Sequence, residues 1–143
     1  MKLCQSILTA ATLLLFAIPA QTQSGDIIVK YKWKLPDRPL NCEMNLQHLE
    51  DLRHMLANQP NRDGLLIIVA RLGNREKQRD LNRRRLHNVR DGLTTNLGIN
   101  DRQIVVAEGE RVRGYGRVEF YLAGDLVGAL PVRRNSHVIK CDF

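Results

Sequence analysis

Four groups of side chains in this sequence have types suited to chemistry: a run of three arginines, two glutamates two positions apart, four histidines and three cysteines. The arginines, Arg83, Arg84 and Arg85, stand in "DLNRRRLHNVRDGL", residues 80 to 93. A guanidinium binds carboxylate or phosphate through paired N–H donors, so the run reads either as one patch for a polyanion or as groups with separate tasks. Glu108 and Glu110 share one face of a strand and have the spacing of a carboxylate pair for acid–base work. Arg111 and Arg113 follow directly, however, and make a charged turn the simpler reading. His48, His54, His87 and His137 have no metal-ligand spacing; on a helix, His48 and His54 point to different faces. There is no Gly-x-Ser-x-Gly nucleophile motif, and no cysteine has an obvious histidine partner. These patterns point away from an enzyme, a metal site and a cofactor.

Helical geometry separates the arginines. A helix advances about 100° per residue. With Leu81 at zero, Val89 falls at about 80°, Leu93 at about 120°, Leu86 at about 140° and Leu97 at about 160°, which defines one apolar arc. Arg83 at about 200° and Arg84 at about 300° lie outside it, on a solvated face. Arg85 at about 40° lies inside, and so does Asn82 at about 100°. A guanidinium on a core-facing arc must snorkel, meet a carboxylate or line a cleft, because an unpaired buried charge is costly.

These residues depend on a fold that the rest of the chain outlines. "MKLCQSILTAATLLLFAIPA" joins Lys2 to an apolar run and ends at the small residue Ala20. It reads as a signal peptide over residues 1–20, too short for a confident membrane span. Residues 21–143 then make one domain with a core of ordinary size and no integral membrane span after processing. The net charge of the whole chain is +7, which favours anionic partners without naming one. Export also makes a Cys42–Cys141 disulfide the natural expectation, tying the C-terminal tail to the region before the first helix. By the chain-entropy model, a bridge across so long a loop contributes roughly 4 to 5 kcal/mol.

"DIIVKYKWK" (26–34) alternates apolar and lysine residues, as a strand with one wet face does. The sequence predicts a first helix in "NLQHLEDLRHMLANQP", with Asn45 as N-cap, Leu49, Leu52, Met55 and Leu56 on one face, and Pro60 as its stop. "GLLIIVARL" (64–72) reads as a strand buried on both faces. A second helix follows from roughly Glu76 to Leu97, ended by Gly98. "QIVVAEG" is a short strand, and "GRVEFYLAGDLVGALPV" a hairpin with its turn near Gly124 and Asp125. The expected order is β-α-β-α-β-β, an α/β sandwich with two helices packed on one face of a mixed sheet, a C-terminal hairpin and a tail.

The ordered set resembles the OmpA-like C-terminal domain, which associates with peptidoglycan. On that family's helix pattern Leu81, Val89 and Leu93 match its apolar positions, Asn82 its serine and Arg85 its arginine. "LGINDRQIVVAEGE" matches the next step, with Gly109 and Glu110 at the turn, and Arg117, Val118 and Glu119 match the closing strand. The similarity covers most of residues 27 to 123. It implies that Arg85 pairs with the carboxylate of diaminopimelate in the peptidoglycan stem peptide. The implied ligand set is Arg85 and Asn82 on the helix, with Asn74 and Glu76 in the preceding loop. In that loop Leu72 and Gly73 stand where the family has threonine and aspartate, so the counter-charge for the ligand's ammonium falls to Glu76 or Asp80.

Two functions follow as expectations. The first is an exported, non-catalytic module associating non-covalently with peptidoglycan or the cell envelope, in the periplasm or at the outer membrane. The second is an OmpA-like scaffold that has lost wall binding and serves protein–protein interaction with envelope proteins. Nucleic acid fits less well. Aromatic residues are only 5% of the chain and do not interleave with the arginines, so stacking platforms for bases are missing.

Overall fold

The computed structural model describes residues 33, 35–58, 64–78, 80–139 and 141. The expected signal segment, residues 1–20, and all of the alternating 26–34 stretch except Trp33 lie outside the described residues, as does Pro60. The elements are α1 (Cys42–Ala57), β1 (Leu66–Gly73), α2 (Leu81–Asp91), β2 (Ile104–Val112), β3 (Arg117–Leu122) and β4 (Asp125–Pro131). A single π-helical turn, Gly92–Asn96, prolongs α2, and a short 3-10 turn, Asp101–Gln103, leads into β2. The described order is therefore α-β-α-β-β-β, which does not match the expected β-α-β-α-β-β exactly: the expected first strand lies outside the described residues but for Trp33, and the hairpin after Gly116 supplies two strands beyond β2, as its pattern predicts.

The strands lie in the order β2-β1-β3-β4. β1 runs parallel to β2, pairing Leu66 with Ile104 and Ile68 with Val106. It runs antiparallel to β3, where Ile68 meets Phe120. β3 and β4 form a hairpin whose turn residues Ala123 and Gly124 have φ of 51° and 89°. Two consecutive positive φ values match the right-handed twist of the paired strands.

Leu66, Ile68 and Ala70 of β1 and Val118, Phe120 and Leu122 of β3 are buried in one core with Leu49 and Leu52 of α1, Leu86 and Val89 of α2 and Leu93 of the π-helical turn. Two helices packed on one face of a mixed sheet thus make an α/β sandwich. The alternate β1 residues Ile67, Val69 and Arg71 are only partly buried, so β1 is not a strand enclosed on both faces. Both helices cover the same side, and among the described residues the other side of β1 is only partly buried.

Asn41, not Asn45, caps α1: its side chain accepts from the Met44 N–H. Asn45 is buried one turn later, where its Nδ2 donates to the Ile139 carbonyl at 2.8 Å. The helical stretch of α2 and its π-helical turn ends at Gly98 as expected, with φ of 67° there and the Ile99 N–H closing on the Leu93 carbonyl at 2.9 Å. Trp33 donates its backbone N–H to Val127 at 3.0 Å, and its ring stacks on His48 with centroids 4.8 Å apart. The same ring lies flat on Gly128, so close that any β-carbon there collides with it.

The expected disulfide is present: Cys42 and Cys141 are joined at an S–S distance of 2.00 Å. It fits an oxidising, exported compartment. Among the described residues no helix is long and apolar enough to cross a membrane.

Candidate functional site

Arg85 reaches the inside of the molecule as its helical phase requires. It is 0% exposed, the largest fully buried side chain among the described residues. Its partner is Glu76, 3% exposed. Glu76 does not open α2, as the sequence suggests. The chain turns after β1, with the Glu76 N–H bonded to the Gly73 carbonyl, and α2 begins only at Leu81. This turn swings the Glu76 carboxylate inward. The Gly73 N–H donates to Glu76 Oε2 at 2.8 Å, a local bond that competes with helix formation.

The pair is two-pronged. Arg85 Nη1 donates to Glu76 Oε2 at 2.9 Å and Nη2 to Oε1 at 2.5 Å. Planar fork-to-fork pairing of this kind fixes geometry as well as charge. Two further contacts come from the C-terminal tail: Arg85 Nε donates to the Ser136 carbonyl at 2.9 Å, and the Asn135 N–H donates to Glu76 Oε1 at 3.0 Å. Gly116 forms the floor, where a β-carbon would strike both Arg85 Nη1 and Glu76 Oε2. Burial by itself pushes the Glu76 carboxyl up. The hydrogen bonds from Arg85 and the Gly73 N–H outweigh it and hold the pKa below its ordinary value.

The tail is held along its length. The Val132 N–H bonds the Gly116 carbonyl at 2.8 Å, and the Ile139 N–H bonds Asn88 Oδ1 at 3.1 Å. Together with the Asn45 bond and the disulfide at Cys141, these contacts make residues 132–139 a strap across α2 and the Arg85–Glu76 pair.

The structure divides the other sequence-selected residues. Arg83 is exposed, and Arg84 pairs at 3.2 Å with Asp80 on the helix surface, so the triplet is not one patch. Asp80 faces Arg84 and not Arg85. Asn82 is buried beside the apolar arc, and its Oδ1 has no hydrogen-bond partner among the described residues. Asn74 is exposed on the turn after β1. Glu108 and Glu110 are exposed within β2, not on a turn, because that strand continues to Val112. Among the described residues, no three of His, Cys, Asp and Glu converge as a metal site would require.

A second ion cluster went unassigned in the sequence. Glu119, 2% exposed, accepts from Arg71 Nε at 2.7 Å, Arg117 Nε at 2.6 Å and the Tyr121 hydroxyl at 2.8 Å. Burial raises the Glu119 pKa, but the hydrogen bonds from Arg71, Tyr121 and Arg117 bring it below its ordinary value. The alternation of "RVEFYL" places Arg117, Glu119 and Tyr121 on one face and could have flagged the cluster. Arg71 could not be added without knowing that β1 pairs with β3.

The Arg85–Glu76 pair is saturated from within the chain. Glu76 accepts four hydrogen bonds, and Arg85 donates through Nε and both terminal nitrogens. In this geometry an external carboxylate reaches Arg85 only by displacing Glu76 or the strap. Comparison with protein-family models, curated proteins and solved structures gives no match.

Proposed function

We propose that this is an exported, non-catalytic domain of OmpA-like pattern whose arginine serves the fold, and that it acts by protein–protein interaction in the cell envelope. The observation that carries the reading is the full burial of Arg85 against Glu76. The position that would clasp a ligand carboxylate in an OmpA-like domain already holds one from the same chain. The strap supports the reading further, since it covers the pair with backbone groups and is pinned by a disulfide.

The test is co-sedimentation of the oxidised protein with purified sacculi, paired with titration of free diaminopimelate followed by amide NMR shifts. The expected result is protein left in the supernatant and unmoved signals for Asn135 and Ser136. Co-sedimentation at physiological salt, with those two amides shifting on titration, would instead establish association with the peptidoglycan stem peptide.

A further inference from the structure

The loops at one end of the sheet are joined to one another by direct contacts. Gly73 packs so closely on the 114–116 turn that an added β-carbon would stand 2.5 Å from the Gly114 carbonyl oxygen. Arg111 Nη1 bonds the Glu76 carbonyl at 2.8 Å, which ties β2 to the 74–78 turn. The strap starts beside Gly116 and reaches Glu76 through Asn135. A tight turn, closed by the Ser136 N–H on the Arg133 carbonyl, carries Arg133 and Arg134 outward. Three separate segments therefore meet at the carboxyl ends of the parallel strands β1 and β2.

This end is strongly basic. Arg75, Lys77, Arg113, Arg133 and Arg134 are all exposed there and form no ion pair among the described residues. The acids at this end are mostly engaged: Glu76 and Glu119 are buried in their clusters and Asp80 pairs with Arg84, leaving Glu110 exposed. The opposite end is mixed in charge: Asp91, Asp101 and Asp125 are exposed there, Asp101 paired with Arg90, beside the exposed Arg53 and Arg102. Tyr115, 44% exposed, stands at the tip of the basic end between Gly114 and Gly116. An amphipathic ring among cations suits the level of lipid headgroups.

We propose that this basic end docks on an anionic phospholipid surface, with the arginines on headgroup phosphates and Tyr115 at the interface. The inference does not rest on the function proposed above. Charge complementarity selects an anionic partner, and arginine pairs with phosphate oxygens through two donors. The cations stand on three separate turns with the exposed Tyr115 among them, a spread that suits a surface of many phosphates better than one short acidic segment.

The experiment is flotation of the purified, oxidised protein with vesicles of equal parts phosphatidylglycerol and phosphatidylcholine, against vesicles of phosphatidylcholine alone. Binding should occur only with the anionic vesicles and weaken with salt. Each basic residue near such a surface tightens binding about fivefold. The double variant Arg133→Glu/Arg134→Glu should therefore lose on the order of thirtyfold or more. Arg53→Glu/Arg102→Glu changes net charge equally but at the other end, where both residues are exposed, and should lose far less. Tyr115→Ser should weaken binding without altering its salt dependence. Equal loss in the two double variants, no flotation of the wild type at physiological salt, or tighter retention on polyglutamate than on vesicles overturns the proposal. Near-ultraviolet circular dichroism confirms that each variant is folded.

Discussion

Arg85 and Glu76 form a two-pronged ion pair, 2.9 and 2.5 Å long, between side chains almost wholly withdrawn from water. Nine residues separate them in the chain, and only the turn after β1 brings them together. Removing one member of a buried pair leaves the other charge uncompensated, at a cost of about 3–5 kcal/mol. Arg85→Met and Glu76→Gln should each destabilise the protein by that order in urea unfolding. The double variant Arg85→Met/Glu76→Gln should cost clearly less than the two singles added, because it leaves no buried charge.

Stability should fall on the acid side. Glu76 and Glu119 both have pKa values below those of an unfolded glutamate, about 4.3. A lowered native pKa stabilises the fold above the unfolded value, and that contribution is lost as pH falls through the native one. Thermal midpoints should therefore be flat down to about pH 5 and drop steadily below about pH 4. Glu119→Gln should make that drop shallower; an unchanged acid limb would remove Glu119 from the account.

The disulfide holds the strap on the Arg85–Glu76 pair. Cys42→Ser/Cys141→Ser should lower stability by about 2–5 kcal/mol. Hydrogen exchange should show a sequence to this loss, with the amides of Ile139 and Asn135 losing protection while those of β1 and β3 keep theirs. Loss of protection everywhere at once would mean that the strap is not a separately opening unit.

Gly128 lies under the Trp33 ring with no space for a side chain. Gly128→Ala should destabilise by about 1–3 kcal/mol through overpacking. Because Trp33 is the only tryptophan, its fluorescence reports the change directly. A displaced ring should show a red-shifted emission in the folded variant.

The sequence by itself determined much of the scaffold. Period-2 and period-3.6 patterns found α1 and the β3–β4 hairpin, short apolar runs found β1 and β2, and helical phase put Arg85 and Asn82 on the buried side of α2 while leaving Arg83 outside. These are local facts, since the side-chain direction of a helix or strand follows from its repeat. Cys42 and Cys141 are the two cysteines left once Cys4 falls in the expected signal segment. The partner of Arg85 was decided by tertiary structure. Glu76 looked like the first turn of a helix until the Gly73 N–H and the buried guanidinium drew it inward. The strap was equally hidden, because Asn135 and Ser136 act through backbone groups that every residue possesses. Long-range pairing likewise assembled Arg71 with Glu119, and gathered five cations from three segments at one end of the sheet. A sequence states which way a side chain faces within its own element; what stands opposite is settled only when elements distant in the chain pack together.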